Sequence, residues 1–442
     1  MTALETIPVL TEVVVKDISE LREANYVVEK DRKLARIVEI DDVVEHKNAD
    51  KLELGIVGGW QCVIKKDEFK KGDRAIYCEI DSLLPIANFE LFGFLEARNS
   101  DNRNIDGKRF HRLKTAKFRK ELAQGLLVPI PAKYQHLPVD TNLTMELGIL
   151  KYEASPPTHM QRKATANASW YVKLATRIMG DIGGGLLPWP KQLTKSDQDR
   201  VQNKSTAFRI ALEGDVSFEV TYKLDGSSMT CFLINDEGKD RTGVCSRNYE
   251  LSIGGTEYTF MQQLRVWVAS MMFRNRRLIH TRKFQWVDWK KGSDGTSDHF
   301  TEMYAQLDIA KKLNDYYKLT GDRITLQGEL IGPNIQSNFE GVTENQYWVF
   351  SVYKNGSEEV LPDEAREIVF KLGLKYVPVL DENYVIPKDA TIADIVAMGE
   401  GKPAFNKTKD SYREGLVFKA RNQIMSWKAI SNKYLLAKDK KD

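Results

Sequence analysis

Short segments in which apolar and polar residues alternate dominate the first third of the chain. Examples are LARIVEIDDVV, LELGIVGGWQCVI and DRAIYCEI, which lie between residues 33 and 131 and are separated by Gly and Asp. No long amphipathic helical pattern interrupts them. Alternation with a period of two is typical of half-buried strands, and several short strands in succession predict a small β-barrel in this region.

The rest of the chain mixes strand and helix patterns. EMYAQLDIAKKLNDYYKL has a helical period, and YTFMQQLRVWVASMMF is a second helix candidate. The apolar residues on one face of the first helix, which predict packing against a core, are Met303, Leu307, Ala310, Leu313 and Tyr317. EASPPTH and GDIGGGLLPWP have the composition of linkers. We therefore expect a barrel module at 1–150, a linker with the start of the next domain at 151–205, and an α+β domain at 206–442.

Composition narrows the class of protein. The 442 residues are 42% hydrophobic and 29% charged, as in ordinary soluble proteins with real cores. The four cysteines have neither Cys-x-x-Cys spacing nor a histidine at zinc-like spacing, which favours free thiols in a reducing compartment. The first residues do not resemble a signal peptide, and no apolar run reaches membrane length. We expect an intracellular protein, cytoplasmic or nuclear, that is a monomer and has no membrane partner.

Positive charge is clustered, although the net charge is only +3. GKRFHRLKTAKFRK (107–120) interleaves Lys and Arg with Phe110, His111 and Phe118, a composition suited to phosphates and stacked bases. A second cluster runs from 274 to 291. Charge runs are also typical of plain solvated faces, so both interpretations stay open. The nucleic-acid candidates in the first cluster are Lys114, Lys117 and Arg119.

EVTYKLDGSSM (219–229) places a lysine at the end of a predicted strand. Val216, Phe218, Val220 and Tyr222 alternate with polar residues, so Lys223 is expected on a polar, exposed face with Glu219 and Thr221. Asp225-Gly226 has turn chemistry, and MTCFLI follows as a returning strand. The pattern predicts a β-hairpin that presents Lys223 at its tip.

Two resemblances to known families extend this picture. EHKNADKLELGIV followed by FKKGDRAIYCEIDSLLP resembles OB-fold modules that bind tRNA and related RNAs, although such a barrel can also be a structural support. KLDGSS, SRNYEL, LQGELIG, YWVFSVY, REGLVFKA and SWKAISNKYL resemble, in order, the six motifs of covalent nucleotidyltransferases. The whole chain is most similar to RNA ligases with an N-terminal OB module and a C-terminal adenylyltransferase domain. The implied fold is α+β, an OB-fold β-barrel followed by an antiparallel-sheet, ATP-grasp-like ligase adenylation domain.

The resemblance implies ATP as cofactor, with Mg²⁺ or Mn²⁺, and RNA as partner. Lys223 is then the nucleophile that attacks the α-phosphorus of ATP. Glu414 holds the metal, and Lys428 holds the α-phosphate. The other implied nucleotide contacts are Arg247 at ribose or phosphate, Glu329 at the ribose hydroxyls, Phe350 stacked on adenine, and Lys419. Trp348 is a rival for the stacking role, Lys419 requires a bulge at Gly415 to face the site, and Arg200 is a candidate contact to the RNA.

The implied activity is sealing of 3′-hydroxyl and 5′-phosphate ends, at nicks, through lysyl-AMP and an adenylylated 5′ end, as in RNA repair. Two alternatives remain: a DNA ligase or capping-type nucleotidyltransferase, and an inactive tRNA-binding protein. The first is disfavoured because those enzymes continue past the last motif into a C-terminal OB domain. Two features depart from the family pattern. The last motif has Lys428 without a second lysine, for which Lys433 is a possible substitute, and the stretch 252–322 has no assigned role.

Overall fold

A computed structural model describes most of the chain. The described residues are 33–97, 102–105, 108–152, 187–195, 198–251, 299–333, 335–408 and 411–438. They divide into two compact units, one up to residue 151 together with 422–425 and one comprising the remainder. The helix predicted from YTFMQQLRVWVASMMF and the basic cluster at 274–291 lie outside the described residues.

The first unit is built almost entirely from short strands. They are β1 Ala35–Glu39, β2 Asp42–Glu45, β3 Leu52–Val57, β4 Trp60–Lys65, β5 Arg74–Glu79, β6 Ser82–Pro85, β7 Asn102–Ile105, β8 Lys108–Arg112, β9 Ala116–Phe118, β10 Glu121–Ala123, β11 Gly125–Val128 and β12 Leu150–Lys151. The described helical segments of this unit are one α-helical turn, α1 Phe89–Phe92, and 3₁₀ turns at Gly93–Ala97 and Ala132–Tyr134. Trp60 and Ile76 are among the fully buried side chains of its core. The predicted prevalence of short strands is therefore confirmed.

These strands pair antiparallel in four sheets. The sheets have the orders β1-β5-β11, β2-β3-β4, β9-β10 and β12-β6-β8-β7. A single closed barrel, which the sequence pattern predicts, is not formed by the hydrogen bonds of the described residues. Strands of three to six residues, which make up most of this unit, leave few ladder hydrogen bonds with which to close a continuous sheet.

The second unit combines two sheets with helices. Its strands are β13 Leu187–Pro188, β14 Ser217–Lys223, β15 Ser227–Asp236, β16 Lys239–Cys245, β17 Tyr249–Leu251, β18 Ile324–Ile331, β19 Gln346–Lys354, β20 Glu358–Glu359, β21 Lys375–Tyr376, β22 Val379–Val385, β23 Gly415–Ala420 and β24 Ser426–Ile430. Its helices are α2 Ser205–Glu213, α3 His299–Gln306, α4 Ile309–Thr320, α5 Pro362–Lys371, α6 Ile392–Met398 and α7 Asn432–Lys438. Within the described residues, no helix is long and apolar enough to cross a membrane.

The larger sheet has the order β13-β17-β16-β15-β18-β19-β20, and the smaller has the order β22-β14-β23-β24. Every pair is antiparallel except β21, which pairs parallel with β19 at two residues. The antiparallel-sheet architecture expected for this part of the chain is thus confirmed. Apolar side chains from β15, β18 and β19 and from helices α3 to α5 form the main core.

The predicted hairpin at Lys223 is wrong. β14 pairs with β22 and β23, whereas β15 pairs with β16 and β18, so the Asp225-Gly226 segment passes from one sheet to the other. A Cβ on Gly226 would overlap the carbonyl oxygen of Leu330, which shows how closely the crossing segment lies against β18. Asp225 and Gly226 therefore form a crossover between two sheets, and Gly226 lets the crossing backbone lie against the backbone of β18.

The predicted exposed face of β14 is also wrong, because both faces of this strand are covered. Glu219 is fully buried and Thr221 nearly so. The Glu219 carboxylate accepts a hydrogen bond from the Tyr376 hydroxyl at 2.7 Å and lies 3.4 Å from the Arg366 guanidinium. Burial raises the pKa of Glu219 in spite of these two partners. Strand alternation identified the faces correctly but could not show that a helix with a cation covers the polar one.

The long helix predicted around residue 310 is two helices. α3 ends at Gln306, and Asp308 has a left-handed φ of 52° before α4 begins. Met303 and Leu313 are buried as predicted, whereas Leu307, Ala310 and Tyr317 are half-buried against the same core. The break redirects the chain without removing the apolar stripe from the core.

The Glu219–Arg366 pair gives a stability prediction. Arg366→Ala leaves a buried carboxylate with one partner fewer, so we expect a loss of about 1–3 kcal/mol in the free energy of unfolding, measured by urea denaturation. Arg209→Ala is the matched control, since its pair with Glu213, at 4.0 Å, is exposed and should contribute less than about 0.5 kcal/mol. Equal losses in the two variants would contradict the structural role assigned to Arg366.

Candidate active site

Lys223 occupies the last position of β14, directly before the crossing between the sheets. Its neighbour on β23 is Gly415, where a Cβ would overlap the carbonyl oxygen of Ala429. On the far side of the crossing, Ser228 of β15 lies opposite Glu329 of β18. Since each sheet contributes its own residues at this point, the crossing brings together side chains that are far apart in sequence.

The Lys223 ammonium lies 2.9 Å from a carboxylate oxygen of Glu414. Both side chains are partly buried, with 26% and 18% of their surfaces exposed. Burial alone would lower the pKa of Lys223, but the carboxylates of Glu414, Glu329 and Asp225 together outweigh it and raise that pKa above its ordinary value. The lysine is therefore a protonated cation in this state of the protein.

Glu329 is the second carboxylate of the cluster. Burial, with added repulsion from Glu414 and Asp225, raises the pKa of Glu329 to about 8, although Lys223 and the Gly226 N–H favour its charged form. Thr325 and Gln327, which alternate with apolar residues on the same strand, β18, are buried. Glu329 itself is half-buried.

Glu340 is a buried carboxylate that sequence reasoning missed. It is 2% exposed, and its Oε1 accepts a hydrogen bond of 3.5 Å from the backbone N–H of Asp225. Burial raises the pKa of Glu340 to about 7. It lies in NFEGV, a loop outside the recognised motifs, so no sequence signal marked it.

Glu414 is held in place by its neighbour, Arg413. The guanidinium donates hydrogen bonds to the carbonyl oxygens at the end of α6, at 2.6 Å to Met398, 3.1 Å to Gly399 and 2.6 Å to Glu400. The Glu414 carbonyl in turn accepts the Ser431 N–H at 2.9 Å. Arg413 was not predicted, although an arginine directly before the glutamate of REGLVFKA was a visible signal.

Glu400 completes this support and was also missed. Its carboxylate accepts the backbone N–H groups of Asn432 at 2.8 Å and Lys433 at 3.2 Å, which are the first residues of α7. A carboxylate at a helix N-terminus satisfies otherwise unpaired N–H groups and complements the helix dipole. The Lys433 ammonium lies 3.9 Å from Glu400 and is largely exposed, so here this lysine is paired at the helix start.

Lys428 and Arg200 are brought together by backbone pairing. Residue 200 forms an isolated parallel bridge with residue 428, and the Lys428 N–H donates to the Asp199 carbonyl at 2.8 Å. Lys428 lies opposite Val417, which in turn lies opposite Thr221. Side chains at these register positions share one face of the smaller sheet with Lys223. Arg200, the candidate contact to the RNA, thus lies beside a motif lysine.

Lys419 faces the same side as Lys223 without the predicted bulge. β23 pairs in unbroken register with both neighbours, and the departure from alternation is at Glu414, which precedes the strand. Lys419 is 7% exposed and donates to the carbonyl oxygen of Phe350 and, at 2.6 Å, to Ser351 Oγ. Burial lowers the pKa of Lys419. It is thus a buried link between β23 and β19.

Both aromatic candidates on β19 are half-buried and lie on the same face. The β18–β19 register shifts between Gln327 and Gly328, which makes Phe350 the extra residue of a bulge. Trp348 lies opposite Glu329 and packs on Phe405, with ring centroids 5.0 Å apart. Arg247 is exposed in the turn between β16 and β17, and its role remains a prediction.

In the first unit, the basic stretch is only partly available to a ligand. Phe110 and His111 are buried, which contradicts a base-stacking role for them. Arg109 and Arg112 form ion pairs of 2.6 and 2.7 Å with carboxylates, Glu96 and Asp81 respectively. Lys114 and Arg119 are exposed, and Lys117 and Phe118 are half-buried. Phe110 and His111 are adjacent on β8, so both faces of the strand are covered at this point.

The carboxylates around Lys223 suit a divalent cation chemically. Oxygen ligands are those that Mg²⁺ and Mn²⁺ prefer, and Mg²⁺ commonly uses one or two carboxylates with water and phosphate oxygens completing its shell. Within the described residues no three carboxylate, imidazole or thiolate groups are already arranged as a metal cage. The donor set therefore fits a metal that is shared with a phosphate substrate rather than an enclosed structural metal.

Comparison with known proteins agrees with this arrangement. Residues 34–130 match a family model described as an OB-fold domain, and residues 216–435 match one described as RNA ligase. A search of curated proteins by sequence gives no match. The chain thus consists of an OB-fold domain followed by a ligase domain. Residues 216–435 belong to the RNA ligase family, and the protein is an RNA ligase.

Solved structures of the Naegleria gruberi RNA ligase are similar over nearly the whole chain. An apo structure of an aspartate-to-alanine variant is 28% identical, with a TM-score of 0.61, and the match covers 93% of this chain and 99% of that one. A lysine-to-alanine variant with ATP and Mn is 29% identical, with a TM-score of 0.60 and coverage of 93% and 100%. The structure with PPi has 29% identity, a TM-score of 0.59 and the same coverage. The resemblance expected from the six motifs is confirmed.

The raised pKa of Glu329 predicts a pH-dependent cost to stability. Between about pH 4.5 and pH 8 the folded protein binds more protons at Glu329 than the unfolded chain does, so this group makes stability fall as pH rises. Glu329→Gln removes that dependence. In urea unfolding, the stability of the variant relative to the parent should rise by on the order of 2 kcal/mol from pH 5 to pH 8.5. Glu344→Gln, at an exposed position, should show no such trend, and a flat difference for Glu329→Gln would sink the idea.

Proposed function

We propose that this RNA ligase uses ATP to join 3′-hydroxyl and 5′-phosphate ends, at nicks in duplex RNA, and that it acts as a monomer. The observation that carries the proposal is the position of Lys223, an amine at the crossing of two sheets with Glu414 at 2.9 Å and two further carboxylates nearby. An ordinary surface lysine does not need such surroundings, whereas a nucleophile whose protonation must be controlled does.

In the first step the Lys223 amine attacks the α-phosphorus of ATP. A P–N bond forms, the bond from the α-phosphorus to the bridging oxygen breaks, and pyrophosphate leaves. Lys223 must lose a proton before it attacks, because an ammonium has no free electron pair. Glu414 accepts the hydrogen bond from that ammonium and is placed to take up the proton or pass it to water.

Glu414 would hold the divalent cation, and Glu329 and Asp225 add negative charge nearby. When bound, Mg²⁺ or Mn²⁺ supplies positive charge that neutralises phosphate oxygens and occupies the carboxylates that now stabilise the Lys223 ammonium. The related ligase structures contain ATP or AMP together with Mn, which supports this assignment. Without a bound metal, the carboxylates favour the ammonium form of Lys223. With the metal bound, the carboxylates would be neutralised, and the neutral amine would be favoured.

The remaining site residues would bind the nucleotide. Glu329 would accept hydrogen bonds from the ribose hydroxyls, and Phe350, directed by its bulge, would stack on adenine, with Trp348 as the rival. Lys428 would contact the α-phosphate, since it shares a sheet face with Lys223. Arg247 would reach the ribose or phosphate, while Lys419 would act on the nucleotide through the Phe350 backbone that it holds.

The two later steps use RNA ends. An oxygen of the RNA 5′-phosphate attacks the phosphorus of lysyl-AMP, the P–N bond breaks, and Lys223 leaves with a proton regained. The 3′-hydroxyl then attacks the 5′-phosphate, AMP leaves, and the hydroxyl proton is released. Arg200, beside Lys428, and the basic residues Lys114, Lys117 and Arg119 of the OB-fold domain would contact the RNA backbone.

Lys223→Ala should abolish the covalent enzyme–AMP adduct, because no other described amine is surrounded in this way. Incubation with labelled ATP and Mg²⁺, followed by a denaturing gel, measures the adduct. Lys223→Arg should fail as well, since arginine keeps its charge and is not an amine nucleophile. Labelled GTP should give no adduct. A Lys223→Ala protein that still acquires label from ATP would refute the assignment.

Lys114→Ala combined with Lys117→Ala should weaken RNA binding without slowing adenylylation. Each lost phosphate contact reduces the number of released counterions, so the slope of log affinity against log salt should become shallower by about 0.7–0.9 per contact. Filter binding to a nicked RNA duplex at several salt concentrations measures this slope. Normal sealing and an unchanged salt slope in this variant would argue against RNA binding by the basic stretch.

A further inference from the structure

The basic stretch contains a hairpin with an unusual turn. β9 and β10 pair antiparallel, with Phe118 opposite Glu121, so Arg119 and Lys120 form a two-residue loop. Their φ angles are 46° and 77°. Both central residues thus have the positive φ of a type I′ turn, the type whose twist suits a tight hairpin.

Arginine and lysine are poor choices for these two positions. A positive φ places Cβ close to the backbone, which is why Asn-Gly or Asp-Gly usually occupies a type I′ turn. The sequence thus accepts a conformational cost at two adjacent residues. Strained positions of this kind persist where surrounding structure fixes them and are concentrated at functional sites.

The surrounding structure does fix this turn, on both flanks. On one side, the buried His46 accepts the Asn48 N–H through Nδ1 at 3.2 Å, so its Nε2–H donates to the Phe118 carbonyl at 3.1 Å. On the other side, the Gln61 side chain donates to the Leu122 carbonyl at 2.9 Å. The strand ends are thus held by hydrogen bonds from outside the hairpin, and the loop cannot relax by shifting its register.

The charges of the turn are available to a ligand. Arg119 and Lys120 are exposed, and neither is paired with a carboxylate within the part of the chain that the structure describes. Arg109 and Arg112 of the same stretch, by contrast, are engaged with Glu96 and Asp81. Two adjacent cations on a rigid tip lose little conformational freedom when they bind an anion, which favours a polyanion whose charges are regularly spaced.

We propose that the Arg119-Lys120 turn is a preorganised contact for the phosphate backbone of the RNA substrate. This inference rests on the proposed binding of RNA by the OB-fold domain, and it identifies the element within that domain that makes the contact. The contact is independent of sequence, since phosphates carry no base information. A phosphate contact also explains the strain of the turn. Asn and Gly suit its backbone best, but neither has a cationic side chain that could bind a phosphate.

The test replaces Arg119→Asn together with Lys120→Gly in the full chain. This change inserts the pair that the turn prefers and removes both charges, so stability and binding should move in different directions. We expect RNA affinity to fall about tenfold or more at 0.1 M salt, with a salt slope shallower by about 1.5. The midpoint of thermal unfolding should stay the same or rise.

Lys70→Asn with Lys71→Gly is the matched control. It removes the same charge and introduces the same two residues at another exposed pair of the OB-fold domain, and it should leave RNA affinity within about twofold. An equal loss of affinity in the control would mean a general charge effect and would overturn the inference. A lowered thermal midpoint in the Arg119→Asn, Lys120→Gly protein would overturn it too, because its turn would then not be strained.

The outcome also separates this inference from the proposed function. In one outcome the turn variant binds RNA normally while the Lys114→Ala, Lys117→Ala variant binds it less tightly. That result overturns the role of the turn and leaves RNA binding by the OB-fold domain intact. Normal affinity in both variants removes the RNA-binding role of the stretch and the inference with it. Reduced affinity in the turn variant, with an unaltered thermal midpoint and a normal control, supports the inference.

Discussion

The ion pair between Lys223 and Glu414 is the interaction around which the ligase domain is arranged. One ammonium is surrounded by three carboxylates, so the cluster has a surplus of negative charge that a protein core does not tolerate without support. The support comes from several directions. Gly415 permits close strand approach, the side chain of Arg413 anchors the chain directly before Glu414, and the crossing at Gly226 brings Glu329 alongside.

The residues that meet at the site were more predictable from the sequence than the architecture that brings them together. Lys223, Glu329 and Glu414 were identified because each lies in a short motif, and the structure brings these three together. The hairpin and the bulge were wrong because strand partners are chosen by contacts far away in sequence, which local turn residues do not record. Alternation likewise indicates two faces of a strand, but it does not tell whether a helix such as α5 covers the polar one.

The residues that hold the site were the hardest to foresee. Glu400 and Glu340 act through backbone N–H groups, and any carboxylate in a suitable loop could do the same, so residue type and spacing carry no signal. Lys419 shows the reverse case. Its motif marked it as important, and the structure adds its contacts with a carbonyl and a hydroxyl on β19, which no motif indicated.

The crossing of the chain between the two sheets has a consequence for partly folded states of the enzyme. Glu329 belongs to one sheet, Glu414 adjoins the other, and Lys223 stands where the chain passes between them. Loss of either sheet therefore removes a part of the cluster that the surviving sheet cannot replace. An intermediate with only one sheet formed therefore lacks the complete cluster, so the proposed adenylylation of Lys223 would report the cooperative folding of the whole ligase domain.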